Sequence, residues 1–108
     1  MQDALGSMTL VAILTVRRDA IDKFRTFEAH AAEVMKMHGG QLERTVVVVP
    51  DGSPELIKEI HLLTFPNEKA FAAYRKDERL AKFVHLRDQS VVHTELFVGE
   101  DGPVAAKR

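Results

Sequence analysis

Two short patterns in otherwise apolar stretches carry the residue types for proton chemistry: Glu59-Ile60-His61 and His93-Thr94-Glu95. Each sets an imidazole two residues from a carboxylate, so on a β-strand both side chains of a pair point to the same face. A neighbouring carboxylate favours the imidazolium and raises the histidine's basicity, which is how a general base is made near neutral pH. The same residues could instead satisfy each other as a polar pair at a barrel mouth or a subunit seam. Strand alternation does not say which face either pair occupies. Arg44, in the middle of a β-branched run, could hold a carboxylate or an enolate oxygen, or serve in an interfacial salt bridge. Phe65 and Tyr74 could wall an aromatic pocket, Tyr74 adding the one phenolic hydroxyl of the chain.

The other histidines do not extend this picture. His30 and His38 are eight residues apart, as are His85 and His93, and neither spacing is that of a helical zinc pair. No metal site is expected. The absence of cysteine removes thiolate nucleophiles, disulfides and Cys-rich metal sites. Glycine-rich phosphate loops and a Gly-x-Ser-x-Gly elbow are missing too. With 29% charged residues and a net charge of -1, the chain has no basic surplus for nucleic acid, and its first strand has no aromatic residues on which bases could stack. No apolar run approaches the roughly 20 residues of a membrane span, and residues 1–7 do not read as a secretion signal, so a cytoplasmic location is expected. Gly6-Ser7-Met8 reads as a cloning junction or flexible extension, and residues 100–108 as a flexible tail. Residues 8–99 then form one domain.

The elements that must position these residues follow from periodicity. Thr9 to Val16 is a near-continuous apolar strand. Asp19 is a plausible helix cap, followed by an apolar stripe of Ala20, Phe24, Phe27, Ala31, Val34 and Met35, and Gly39-Gly40 ends the helix. Gln41 to Val49 and Leu56 to Phe65 form a hairpin across Pro50-Asp51-Gly52-Ser53-Pro54. Asn67 opens a second helix carrying Ala70, Phe71 and Tyr74, Asp77 can cap a following turn, and the stripe continues through Leu80, Phe83, Val84 and Leu86. Val91 to Val98 is the last strand. Two crossovers and a hairpin give an α+β, ferredoxin-like βαββαβ sandwich, an antiparallel sheet of order 4-1-3-2 with both helices on one face.

Both faces of that sheet are greasy. Leu10, Ala12, Leu14 and Val16 oppose Val11 and Ile13 on the first strand, and Ile60 and Leu62 oppose Leu63 and Phe65 on the third. Two helices cover one face, leaving about 400 Å² of the other in projection. A second copy packed on it by two-fold symmetry is the simplest cover, so a homodimer through the open face is expected.

The order of elements, the His38-Gly39-Gly40 helix exit and the run Phe65-Pro66-Asn67-Glu68-Lys69-Ala70-Phe71-Ala72-Ala73-Tyr74 resemble the dimeric α+β barrel superfamily over residues 8–99. Within it the chain is similar to small stand-alone proteins of unknown function related to the antibiotic-biosynthesis monooxygenases. That resemblance implies a dimer and a cofactor-independent oxygenase acting on a small apolar or aromatic molecule. The unknown-function branch often has an acidic residue just before the Phe-Pro pair. Here that position is Thr64, so no role is carried over to it. On this reading His61 or His93 is the base, Arg44 the anion partner, and Glu59, Glu95, Phe65 and Tyr74 complete the site. A noncatalytic ligand-binding or regulatory dimer is the alternative.

Overall fold

Four strands and two helical crossovers make up the computed structural model of the protein, which describes residues 7–103. Most of the expected N-terminal extension and the end of the tail lie outside the described residues. The strands are β1 (Met8–Arg17), β2 (Gln41–Val48), β3 (Leu56–Phe65) and β4 (Val91–Gly99), paired antiparallel throughout in the order β2-β3-β1-β4. This is the ferredoxin-like arrangement read from the sequence. Between β1 and β2 runs one long helix, α1 (Ile21–Met37); between β3 and β4 run three short ones, α2 (Glu68–Arg75), α3 (Glu78–Ala81) and α4 (Val84–Ser90).

Helix ends follow local chemistry, with one exception. Asn67 accepts a hydrogen bond from the Ala70 amide at 2.8 Å and caps α2, and Asp77 accepts one from the Arg79 amide, also 2.8 Å, and caps α3. Asp19 does not cap α1. It lies in a short 3₁₀ turn, Arg18–Ala20, which places Ala20 at the cap position, and its carboxylate pairs instead with Arg17 at 3.7 Å. At the other end of α1 the Gly40 amide donates to Met35 O and the Gly39 amide to Lys36 O, with Gly39 at a φ of 76°. These are the paired bonds of a Schellman close, which a left-handed glycine permits.

Gly40 is needed for a different reason. A Cβ there would lie 2.5 Å from the Phe65 ring and 2.6 Å from Met35 Cγ. Phe65 is fully buried and cannot retreat. Gly40→Ala is therefore expected to destabilise the fold by about 1–3 kcal/mol. A urea-unfolding midpoint equal to that of the parent would refute this.

Register decides which side chains meet the helices. Leu10, Ala12, Leu14 and Val16 pair with Leu63, His61, Glu59 and Ile57 of β3, so these eight residues share one face, and all are buried. On β4 the same face carries Thr94 and Leu96, opposite Leu14 and Ala12. Helix α1 lays Phe24, Phe27, Ala31, Val34 and Met35 against it. Helices α2 and α3 contain no fully buried residue, so the helix layer is thinner over that part of the sheet.

Among the described residues no helix covers the opposite face. Val11, Ile13 and Ile60 are half-buried there, while Val46, Leu62 and Phe97 are 39%, 37% and 52% exposed. The whole unit measures 45 × 43 × 17 Å, a flat two-layer slab. The described helices include none long and apolar enough to cross a membrane.

Candidate functional site

The two Glu/His patterns of the sequence fall on opposite sides of the sheet. His61 pairs in register with Ala12, placing it and Glu59 under α1. His93 pairs with Thr15 and Glu95 with Ile13, placing both on the open face. Arg44 is on the open face as well, opposite Leu62, where β2 has just passed a register shift between Leu42 and Arg44. Of the candidate polar residues, the structure thus brings Glu59, His61 and Tyr74 to the helix side and leaves Arg44, His93 and Glu95 on the other.

Around His61 the helix supplies what the strand pattern did not show. Nε2 of His61 lies 2.9 Å from Glu59 Oε1 and 2.9 Å from Oε2 of Glu28, which projects from α1. Since carboxylates accept and do not donate, Nε2 carries the hydrogen, and in the neutral ring it is Nδ1 that keeps the lone pair. Arg25, one turn before Glu28, holds both acids from the far side: its Nη1 donates to Glu28 Oε1 at 2.6 Å and its Nη2 ion-pairs with Glu59 Oε2. That last contact lacks hydrogen-bond geometry, leaving a buried carboxylate oxygen balanced by charge alone. Glu59 is 0% exposed and His61 8%.

Burial and charge pull these groups in opposite directions. For Glu59, burial pushes the carboxyl up, but the Arg25 guanidinium and then the His61 ring outweigh it and hold it below its usual range. For His61, burial lowers the imidazolium's stability, but Glu28 and then Glu59 more than offset it, so its pKa lies above the usual value. Contact with the Glu59 carboxylate, and after it Glu28, raises Arg25 above its already high usual value. The trio Glu28, Glu59 and His61 each offers a ligand atom within 4.8 Å of the others and could in principle hold a divalent cation. Arg25 already supplies positive charge to both acids, so the arrangement is better suited to holding a proton on the imidazole.

His61 is in the wall of a cavity of about 660 Å³ between sheet and helices. That is the size range of small-molecule sites. Its walls are mainly apolar: Leu14, Phe24, Phe27, Ala31, Leu63 and Leu96 among them. Tyr74 lines it too, with Phe71, and burial raises the Tyr74 hydroxyl's pKa although Arg87 and Arg75 pull it down. Phe65 does not line it. Its ring sits behind, 5.1 Å from Phe71 and 5.4 Å from Tyr74, and fixes the two aromatic rings that do.

Arg25, Glu28, Arg75 and Arg87 complete the site without having been singled out in the sequence. Arg25 and Arg75 belong to mixed-charge stretches that read as solvated helix surface. For Glu28 a signal existed: Phe24, Glu28, Ala31 and Met35 follow the i, i+4, i+7, i+11 spacing of a single helical face, so the acid interrupts an apolar stripe.

No protein-family model matches the chain, and no curated protein does. Solved structures do. A protein of unknown function from Rhodopseudomonas palustris, RPA0582, superposes with a TM-score of 0.75 at 14% identity, over 92% of this chain and 85% of that one. A putative antibiotic biosynthesis monooxygenase from Bacteroides thetaiotaomicron gives 0.66 at 12% identity, over 97% and 98% of the two chains. SnoaB, a cofactor-independent oxygenase from Streptomyces nogalater, gives 0.65 at 14% identity, over 94% and 99%. The fold is that of antibiotic-biosynthesis-monooxygenase-like proteins. At such identities the likeness concerns the backbone, and the chemistry must come from this chain's own side chains.

Proposed function

We propose that the chain is a cofactor-independent, monooxygenase-like enzyme, working as a homodimer on a small apolar or aromatic molecule in the cavity under α1. The observation that carries this reading is His61, buried in the wall of an apolar cavity with Nε2 tied to Glu59 and Glu28. Two carboxylates stabilise the imidazolium that forms when Nδ1 takes a proton, the role a carboxylate has behind any catalytic histidine. Removing a proton from an electron-rich ring system leaves a carbanion or phenolate able to reduce dioxygen. One oxygen atom then ends in the substrate as a carbonyl, and the other leaves as water with the two hydrogens of the oxidised carbon. The apolar walls keep bulk water from the intermediate. SnoaB, of the same fold, is described as a cofactor-independent oxygenase, which supports this reaction class.

Anthrone, a tricyclic ketone with an acidic methylene, is a suitable probe. Its conversion to anthraquinone consumes one dioxygen and releases one water. Protein-dependent oxygen uptake at neutral pH is expected. No acceleration over buffer for anthrone or related hydroxylated tricyclics, despite ligand-induced thermal stabilisation, would favour the noncatalytic binding reading instead.

The open face supports the dimer. Val11 sits at its centre, paired with Leu62 on one side and Phe97 on the other, and all three are at least partly exposed in a single chain. Burying such a face is worth about 25 cal/mol per Å² of apolar surface before association costs. Light scattering is expected to report a dimer at micromolar concentration, and Val11→Asp to weaken it by about a hundredfold or more. A parent protein that stays monomeric at that concentration would end the dimer reading.

A further inference from the structure

The cavity is chemically lopsided. Across β1 from Glu59, at the register position of Leu14, stands Thr94 of β4. With strands about 4.8 Å apart, the Thr94 side lies about 10 Å across the sheet from the Glu59–His61 side. There Arg87 of α4 donates from Nη2 to Thr94 Oγ1 at 2.6 Å. Arg75 of α2 also lines the cavity, its guanidinium 5.4 Å from the centre of the Phe71 ring. Tyr74, whose ring centre is 6.4 Å from that of Phe71, presents the only phenolic hydroxyl in the wall.

These two arginines differ from the others that make side-chain ion pairs. Arg17, Arg25 and Arg79 each have a carboxylate within 4.0 Å, whereas among the described residues neither Arg75 nor Arg87 does. Two guanidinium groups without an acid line a cavity that also carries the Thr94 and Tyr74 hydroxyls and whose remaining walls are mostly apolar. A small set of convergent polar groups in an apolar cavity is what fixes a ligand's orientation. Guanidinium groups match a carboxylate in geometry as well as charge. The acids at the other side, Glu28 and Glu59, are already taken by Arg25 and His61.

We propose that the ligand of this cavity carries a carboxylate, held by Arg75 and Arg87 with the Tyr74 and Thr94 hydroxyls, and that its apolar body reaches from there across β1 to His61. This rests on the cavity being the substrate site. It makes the substrate class a small acid with an apolar body, oriented with its reactive carbon away from the carboxylate. The anion would be repelled by the Glu28/Glu59 side and attracted by the Arg75/Arg87 side, so one orientation is selected electrostatically.

Anthracene-2-carboxylate and its neutral isostere anthracene-2-carboxamide test this by fluorescence titration of the full chain. The parent should bind the acid at least tenfold more tightly than the amide. Arg75→Met and Arg87→Met should each reduce that preference, and the double variant should abolish it while still binding the amide. His61→Gln should keep it. Equal binding of acid and amide by the parent, or a preference that survives in the double arginine variant, overturns the proposal while leaving the cavity reading intact. A preference lost in His61→Gln but kept in the arginine variants would place the anion on the wrong side and overturn it too. If neither probe binds, the cavity reading itself fails and takes the proposal with it.

Discussion

His61→Gln is expected to lower the turnover of anthrone by about 10²–10⁴-fold while leaving the dimer and probe binding nearly unchanged. Glutamine suits the test because its amide nitrogen carries two hydrogens and can donate to both Glu59 and Glu28, keeping both acids satisfied. It has no lone pair of useful basicity to replace Nδ1. In the parent, kcat/KM should rise with pH through an apparent pKa above the ordinary histidine value of 6.5, because the base must be unprotonated to act and its carboxylates raise its pKa. In Glu28→Gln, which removes the first of the two raising carboxylates, that inflection should move to lower pH. Loss of turnover accompanied by loss of folding would assign His61 a structural role. An unmoved inflection in Glu28→Gln would show that another group sets the profile.

The second large effect concerns stability. Glu59→Leu should destabilise the protein by about 3–5 kcal/mol, because it leaves Arg25 and His61 without the buried acid they share. The pH dependence follows from the two shifts. Glu59 is held below its ordinary value of 4.5, so its contribution is present above that value and lost as pH falls through the lowered one. His61 is raised above 6.5, so its contribution is complete below 6.5 and lost as pH rises through the raised value. The network therefore contributes most between about 4.5 and 6.5. Urea unfolding of parent and variant at pH 5.5 and 8.5 should show the larger difference at the lower pH. The same difference at both would mean that His61 is not coupled to Glu59. Activity and this part of the stability thus run in opposite directions with pH, since the proton that binds the network together is the one that blocks the base.

Much of the architecture is legible in the chain because it is fixed by short-range chemistry. Asn67 must cap, Gly39 must take a positive φ, and the β-branched runs around the Asp51-Gly52 turn must pair. Asp19 failed as a cap because a 3₁₀ turn adds residues between the strand and the helix, a tertiary adjustment that no local pattern shows. The site was half legible. Glu59 and His61 were visible as a pair, but His93 and Glu95 made an identical pattern, and only the register against β1 separates them: Ala12 faces His61, while Thr15 faces His93. Arg44 drew notice as a charge inside a strand, yet its strand turns it to the open face. Arg75 and Arg87, on short amphipathic helices, look like ordinary surface charges until the helices are laid over the cavity.

One helix, α1, carries Phe24, Phe27 and Ala31 in the cavity wall, Arg25 and Glu28 behind the base, and Met35 against Phe65's neighbourhood at its far end. Its phase relative to the sheet is set by the three-residue 3₁₀ turn Arg18–Ala20. A single residue inserted there would rotate everything downstream by about 100° and advance it by about 1.5 Å. Glu28 would then swing off the imidazole at the same moment that Phe24 left the wall, so the length of this connector is under the same constraint as the acid and base themselves, and homologous chains that keep the chemistry should vary in the hairpin tip around Gly52 long before they vary here.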